Sequence, residues 1–235
     1  MSSTNAKNNQ FLEKLLQKYL FKSLDVNLLC PMNSEAAIAY LRQHDKIGSL
    51  IDSISVPDFT PSGKVYYDLL ESIVSQQLSV KVATVIFNRF CALFPDNYPH
   101  PDSLSSIEME RLRSAGLSNQ KASYLRNVAA FSLQYDLENH HWDSMNDEEI
   151  IDFLTHIKGV GKWTAQMILM FSIGRPDVFP IDDLGIQQAM IRLYDLDQND
   201  KKLKPQMVEL AEPWRPYRTI ASRYLWRWKD SKISL

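Results

Sequence analysis

The sequence is poor in the residues that build covalent and metal frameworks: of 235 residues only Cys30 and Cys91 are cysteine. Two distant thiols supply neither a disulfide scaffold nor the paired CxxC ligands of a zinc or iron–sulfur site. His44, His100, His140, His141 and His156 fall at no ligand spacing, so no catalytic metal is expected. No run of 18 apolar residues occurs, which excludes a membrane-spanning helix and any membrane partner. The first ten residues are polar and lack the apolar stretch of a secretory signal, and read as a short flexible tail (1–10) on an intracellular protein. No alternating apolar pattern is long enough for a sheet, and no fixed-period repeat is present. With 45% hydrophobic and 23% charged residues, the chain is neither disordered nor fibrous and has enough apolar side chains for a core.

What is present is helical periodicity. Phe11, Leu12, Leu15, Leu16 and Tyr19 form one apolar stripe, and Ser34 reads as the cap of a helix over 36–41. Further helices are predicted at 65–74, 79–94, 107–115, 119–134, 147–158, 162–173, 183–194, 205–212 and 215–228. The connections carry Pro57, Pro61 and Gly63, then the segment 95–101, then 174–180. The expectation is an all-α protein of about ten helices in two lobes filling 11–235, with residues near 57–64 as the crossover between lobes.

Formal net charge is −2, which argues against a polyanionic partner until its distribution is considered. Three stretches contain no acidic residue: 111–135 with Arg111, Arg113, Lys121 and Arg126, 153–176 with Lys158, Lys162 and Arg175, and 213–229 with Arg215, Arg218, Arg223, Arg227 and Lys229. If these share a face, that face is strongly positive on an otherwise acidic protein.

Chemistry concentrates in residues 154–165. Leu154 and Ile157 close one short helix onto a core, and Val160 plugs that core from the turn. Gly159 and Gly161 tolerate backbone angles that a β-carbon penalises, allowing a tight reversal. The bare N–H groups opening the next helix favour a phosphate oxygen, and Lys158 and Lys162 add charge on the flanks. This is the physics of a helix-hairpin-helix that grips a nucleic-acid backbone without reading sequence. A nucleotide-binding loop is excluded, because His156 and Trp163 stand where that motif needs glycine and Ser or Thr.

The segment Leu154–Ala165, with Asp183 following Gly161 by 22 residues inside Val178-Phe-Pro-Ile-Asp-Asp-Leu-Gly-Ile-Gln187, resembles the helix-hairpin-helix plus Gly/Pro/Asp (HhH-GPD) signature of DNA glycosylases. Among these it is most similar to the bacterial and yeast 3-methyladenine DNA glycosylases. Ser75-Gln-Gln-Leu-Ser79, Ala115–Ala122 and Trp214-Arg-Pro-Tyr-Arg218 extend the likeness, which covers about 35–229. Residues 1–34 hold no counterpart of the sheet domain that precedes the helices in the larger bacterial enzyme. The resemblance implies a DNA repair enzyme that binds double-stranded DNA, flips out an alkylated purine and hydrolyses its N-glycosidic bond. The alternative is a passive helix-hairpin-helix DNA-binding module.

Relatives that also cut the backbone carry a lysine where this chain has Trp163. Lys162 lies one residue early, about 100° away around a helix. The resemblance therefore implies a monofunctional enzyme without AP lyase activity. It also implies a monomer, no cofactor beyond a structural alkali ion at carbonyls near Gly159 and Gly161, and residence in the nucleus of a eukaryote or the cytoplasm of a bacterium.

Site residues follow by matching. Asp183 matches the catalytic carboxylate that faces the oxocarbenium-like charge of glycosidic cleavage, leaving Asp182 as the helix cap. Trp163, Trp214 and Met167 either pack the core or wall a base pocket by stacking on an electron-poor base, and Tyr66 is a further candidate for that wall. Gln77, or else Leu78, matches the wedge that fills the hole left by a flipped nucleotide. Backbone contacts are expected from Lys158, Gly159, Val160, Gly161, Lys162 and Thr164.

Overall fold

The computed structural model describes residues 35–229 and 231; the predicted tail 1–10, the stripe at 11–20, Cys30 and Ser34 lie outside them. Among the described residues there are twelve α-helices and no strand. The chain divides into two compact units, one comprising Lys64–Ile168, the other residues 35–63 together with 169–229. It passes from one to the other after Gly63 and again after Ile168.

The second unit begins with α1 (Glu35–Arg42) and α2 (Asp45–Ser53). The first unit holds α3 (Val65–Ser75), α4 (Val80–Cys91), α5 (Pro101–Ser106), α6 (Met109–Ser114), α7 (Asn119–Tyr135), α8 (Asp147–Thr155) and α9 (Lys162–Ile168). The chain then completes the second unit with α10 (Leu184–Tyr194), α11 (Leu203–Ala211) and α12 (Arg218–Lys229). The 107–115 helix is shorter than its apolar pattern suggested, and α2 and α5 are additions to the predicted set. Pro101 occupies the first turn of α5, where a missing N–H costs nothing, so a residue expected to end structure starts it.

Local chemistry fixes the other ends. Asn146 and Glu149 form a reciprocal capping box at the start of α8, with Glu149 N–H donating to Asn146 Oδ1 at 2.9 Å and Asn146 N–H donating to Glu149 Oε2 at 3.0 Å. The predicted helix over 162–173 changes character: after Ile168 the chain widens into a π turn, Leu169–Ile173. There the Leu169 carbonyl accepts from both Gly174 N–H and Arg175 N–H, at 2.9 and 2.8 Å. The predicted helix at 215–228 starts later, at Arg218, after a 3₁₀ turn Glu212–Trp214.

In the first unit, α3 buries Val65, Tyr66, Leu69, Leu70, Ile73 and Val74, facing Leu125, Val128 and Ala129 of α7. Leu154, Ile157 and Val160 are buried as the sequence suggested. In the second unit, Leu41, Ile47, Leu50, Ile186, Met190, Trp214, Leu225 and Trp228 belong to one continuous core.

Candidate active site

In the first unit, α8, the turn 156–161 and α9 form the predicted helix-hairpin-helix. Its two glycines are not equivalent. Gly159 sits at φ +111°, and a β-carbon there would lie 2.3 Å from the Tyr124 ring, so both conformation and space require glycine. Gly161 has ordinary backbone angles and open space around it, which corrects the expectation that both glycines are needed for the turn. Its contribution is different: Ala165 N–H donates to the Gly161 carbonyl at 3.0 Å, so Gly161 is the residue before the first helical turn. With no side chain of its own it offers the start of α9 no side-chain cap. Asn127 Nδ2 donates to the Lys158 carbonyl at 3.0 Å and holds the hairpin to α7.

Lys158, Gly161 and Lys162 are exposed, as backbone contacts require. Thr164 and Val160 are buried, 3% and 5% exposed, so their side chains pack the hairpin and any contact they make with a nucleic acid is through the main chain. Trp163 is 39% exposed and Met167, one helical turn later on the same face, is half-buried. Tyr66 is fully buried with its hydroxyl donating to the Pro99 carbonyl at 2.6 Å. Burial pushes its hydroxyl pKa far up. It is a core residue and not pocket lining.

The candidate wedge stands at the end of α3. Gln77 is exposed at φ +61°, an unusual conformation for a side chain of its type, and Leu78 is half-buried. The loop is held from below: Lys121 Nζ donates to the carbonyls of Val74 and Gln76, both at 2.7 Å. Burial lowers the Lys121 pKa. A backbone conformation that costs energy at an exposed loop tip, and is clamped by another residue, is a mark of function.

In the second unit, Asp183 caps α10: its Oδ1 accepts Ile186 N–H at 2.9 Å and the Trp226 indole N–H at 2.8 Å. Asp182 is not the cap. It is exposed and paired with Lys204 Nζ at 2.7 Å, a correction that puts the capping and candidate catalytic roles on one carboxylate. The approach to Asp183 is pinned to α12, since Thr219 Oγ1 donates to the Arg175 carbonyl at 2.7 Å and accepts Val178 N–H at 2.9 Å. Arg218 grips Asp177 with two donors at 2.7 and 3.0 Å, and Arg215 also bonds Asp177.

Trp214 is 1% exposed, packed between Phe179 and Tyr194, so of its two readings the core one holds. The residue that sequence reasoning missed is Trp226. A signal existed: Trp226 and Trp228 lie two apart on a helix, about 200° around it. Both cannot be core. Trp228 is 2% exposed and Trp226 is the one left at the margin, against Asp183.

The basic stretches are less free than their sequence implies. Lys121, Arg126, Arg215, Arg218 and Arg223 all donate to carbonyls or carboxylates within their own unit. Arg111, Arg113, Lys158 and Lys162 remain exposed in the first unit.

Residues 70–216 match the family model described as HhH-GPD superfamily base excision DNA repair protein, and the chain belongs to that superfamily. The Bacillus subtilis protein YfjP is 35% identical over 169 residues, 69% of this chain, and the chain spans 58% of that protein's length. DNA-3-methyladenine glycosylase 1 of Schizosaccharomyces pombe is 34% identical over 171 residues, 72% of this chain and 73% of that protein. The solved structure of the S. pombe 3-methyladenine DNA glycosylase in complex with abasic DNA superposes with a TM-score of 0.72 at 32% identity, covering 82% of this chain and 95% of that one.

Proposed function

We propose that the protein is a monofunctional DNA glycosylase that excises alkylated purines of the 3-methyladenine type from double-stranded DNA, acting as a monomer. The observation that carries this reading is Asp183, a carboxylate fixed at a helix N-terminus by a main-chain and an indole donor. The likeness to 3-methyladenine glycosylases, one with abasic DNA, supports the substrate class. A passive DNA grip needs the hairpin but no such carboxylate.

In the reaction the bond between sugar C1′ and the base nitrogen breaks, the electron pair leaves with the base, and C1′ takes on oxocarbenium-like positive charge. Asp183 stabilises that charge and orients the water whose oxygen bonds to C1′, taking the proton that the water gives up and passing it to solvent. An alkylated purine already bears positive charge and leaves without a strong general acid. Trp163 and Met167 supply the wall against which the extruded base rests, and Gln77, with Leu78 beside it, fills the gap in the duplex. The N-terminus of α9 after Gly161, with Lys158 and Lys162, takes a backbone phosphate. A monovalent alkali cation, if bound, would be held by neutral carbonyl oxygens of the turn 156–161 and would supply positive charge there.

No amine stands at the position of Trp163, so the product is an intact abasic strand. Incubation with methylated duplex DNA tests the reading. Free alkylated base and alkali-labile sites are expected, with no strand cut before alkali. Binding without base release would establish the passive grip instead, and a borohydride-trapped adduct would show a lyase acting through an amine such as Lys162.

A further inference from the structure

Gly185 follows Asp183 by two positions in the first turn of α10, a place where any helix-forming residue serves equally well for the helix itself. A β-carbon built there would lie 3.0 Å from Asp183 Oδ1, 3.0 Å from Trp226 Cδ1 and 3.2 Å from Trp226 Nε1. It would thus enter the wedge between the carboxylate and the indole edge. The ring is also held from its other side, since Trp226 packs on Phe171 at 6.0 Å between centroids and Phe171 meets Phe59 edge-on at 5.4 Å. Arg223 covers Phe59 at 5.2 Å and donates to the Pro57 carbonyl at 2.6 Å, closing the row.

We propose that Trp226 and Gly185 are positioning residues for Asp183: the missing β-carbon of Gly185 admits the Trp226 indole N–H to Asp183 Oδ1. This inference rests on the catalytic reading of Asp183. Two donors on one oxygen, one from the helix and one from the indole, fix the plane of the carboxylate, and with it the direction in which Oδ2 points. A helix cap needs only the first donor, because a single side-chain oxygen on one amide satisfies the N-terminus. The second donor adds nothing to the cap and everything to the orientation. A carboxylate that must meet charge developing at a single carbon gains from fixed orientation, because reorientation during the reaction is then avoided.

The test uses Gly185→Ala, Trp226→Phe, the double variant and Asp183→Asn in the full chain, read by single-turnover release of base from methylated duplex DNA, by affinity for an abasic duplex and by thermal midpoint. Gly185→Ala and Trp226→Phe are each expected to slow release by about tenfold or more, the worth of one charge-assisted hydrogen bond. Abasic-site affinity should stay unchanged. Gly185→Ala should melt close to the wild type, since the better helix propensity of alanine offsets the loss of one hydrogen bond, and a slowed rate without a large drop in midpoint separates a positioning role from a structural one. Because both substitutions break the same bond, the double variant should be no slower than the slower single variant. The ¹⁵N-indole resonance that disappears in Trp226→Phe should shift in Gly185→Ala and in Asp183→Asn.

Multiplying losses in the double variant, an unmoved indole resonance, or wild-type rate in either single variant would overturn the inference. A normal rate in Trp226→Phe beside a slow Asp183→Asn would overturn it alone, leaving the proposed function standing. A fast Asp183→Asn, or an inert wild type, would overturn the proposed function and this inference with it.

Discussion

At the scale of single residues, the proposed function gives Asp183 a second job beside the helix cap it forms. Asparagine is nearly isosteric and caps helices about as well as aspartate, so Asp183→Asn keeps the fold. It loses the charge opposite the developing cation, an electrostatic loss of roughly 3–4 kcal/mol, or about 100- to 1000-fold in rate. Single-turnover excision of 3-methyladenine should fall by that order while the thermal midpoint stays in place. Asp182→Asn, which weakens the exposed pair with Lys204, should cost little in rate or stability. Asp183 was legible in the sequence through its place in a motif. The spacing of Trp226 from Trp228 marked one of the two as marginal to the core, but the bond from Trp226 to Asp183 was not legible, because it joins positions 43 apart and depends on how α10 and α12 pack. The misreading of Asp182 has the same root, since two adjacent carboxylates before a helix look alike until Lys204 arrives from α11.

At the scale of elements, the hairpin separates what glycine does for folding from what it does for binding. Gly159→Ala must move off φ +111° and displace the Tyr124 ring, at a cost of roughly 2–4 kcal/mol, seen as a lowered urea midpoint. Gly161→Asp should behave in the opposite way. Aspartate is a good cap for α9, so stability should hold or rise, while its carboxylate occupies the amides and repels phosphate. Affinity for an abasic duplex should drop although the protein is no less stable. On α3, Lys121→Met strips two carbonyls of their donor and should cost about 1–3 kcal/mol, read in the same denaturation experiment. The helices were legible wherever a cap coincided with periodicity, as at Asn146 and Glu149. They were illegible where proline or glycine interrupted a short run, as in α5 and α2. The π turn after Ile168 leaves no mark in the apolar pattern, because it ends the helix and no later turn remains whose phase the extra residue would shift.

At the scale of the whole molecule, charge and burial set two further expectations. If Lys158 and Lys162 each neutralise one phosphate, replacing either with alanine should reduce the slope of log affinity against log salt by about one. Arg215→Ala should leave the slope unchanged, because its guanidinium already binds Asp177 and Glu212. His140 sets the acid behaviour. Its ring stacks on Phe153 at 5.1 Å, and burial holds its pKa below the ordinary imidazole range, against the opposing pull of the Tyr135 carbonyl. The unfolded chain therefore binds the extra proton between that depressed value and about pH 6.5, and stability rises with pH across the interval. Urea midpoints should fall on acidification from pH 7 to 5, and His140→Phe should flatten the change.

The division of the chain after Gly63 and after Ile168 also dictates an order of events during synthesis. Residues 64–168 leave the ribosome as an uninterrupted stretch that belongs to one compact unit. Residues 35–63 emerge first but cannot complete their core, because Ile186, Met190, Leu225 and Trp228 are encoded more than a hundred codons later. The earliest described helices are thus the last to be buried. A nascent chain halted before α10 leaves the apolar faces of α1 and α2 without their core partners from α10 and α12, the kind of transiently exposed surface that promotes aggregation.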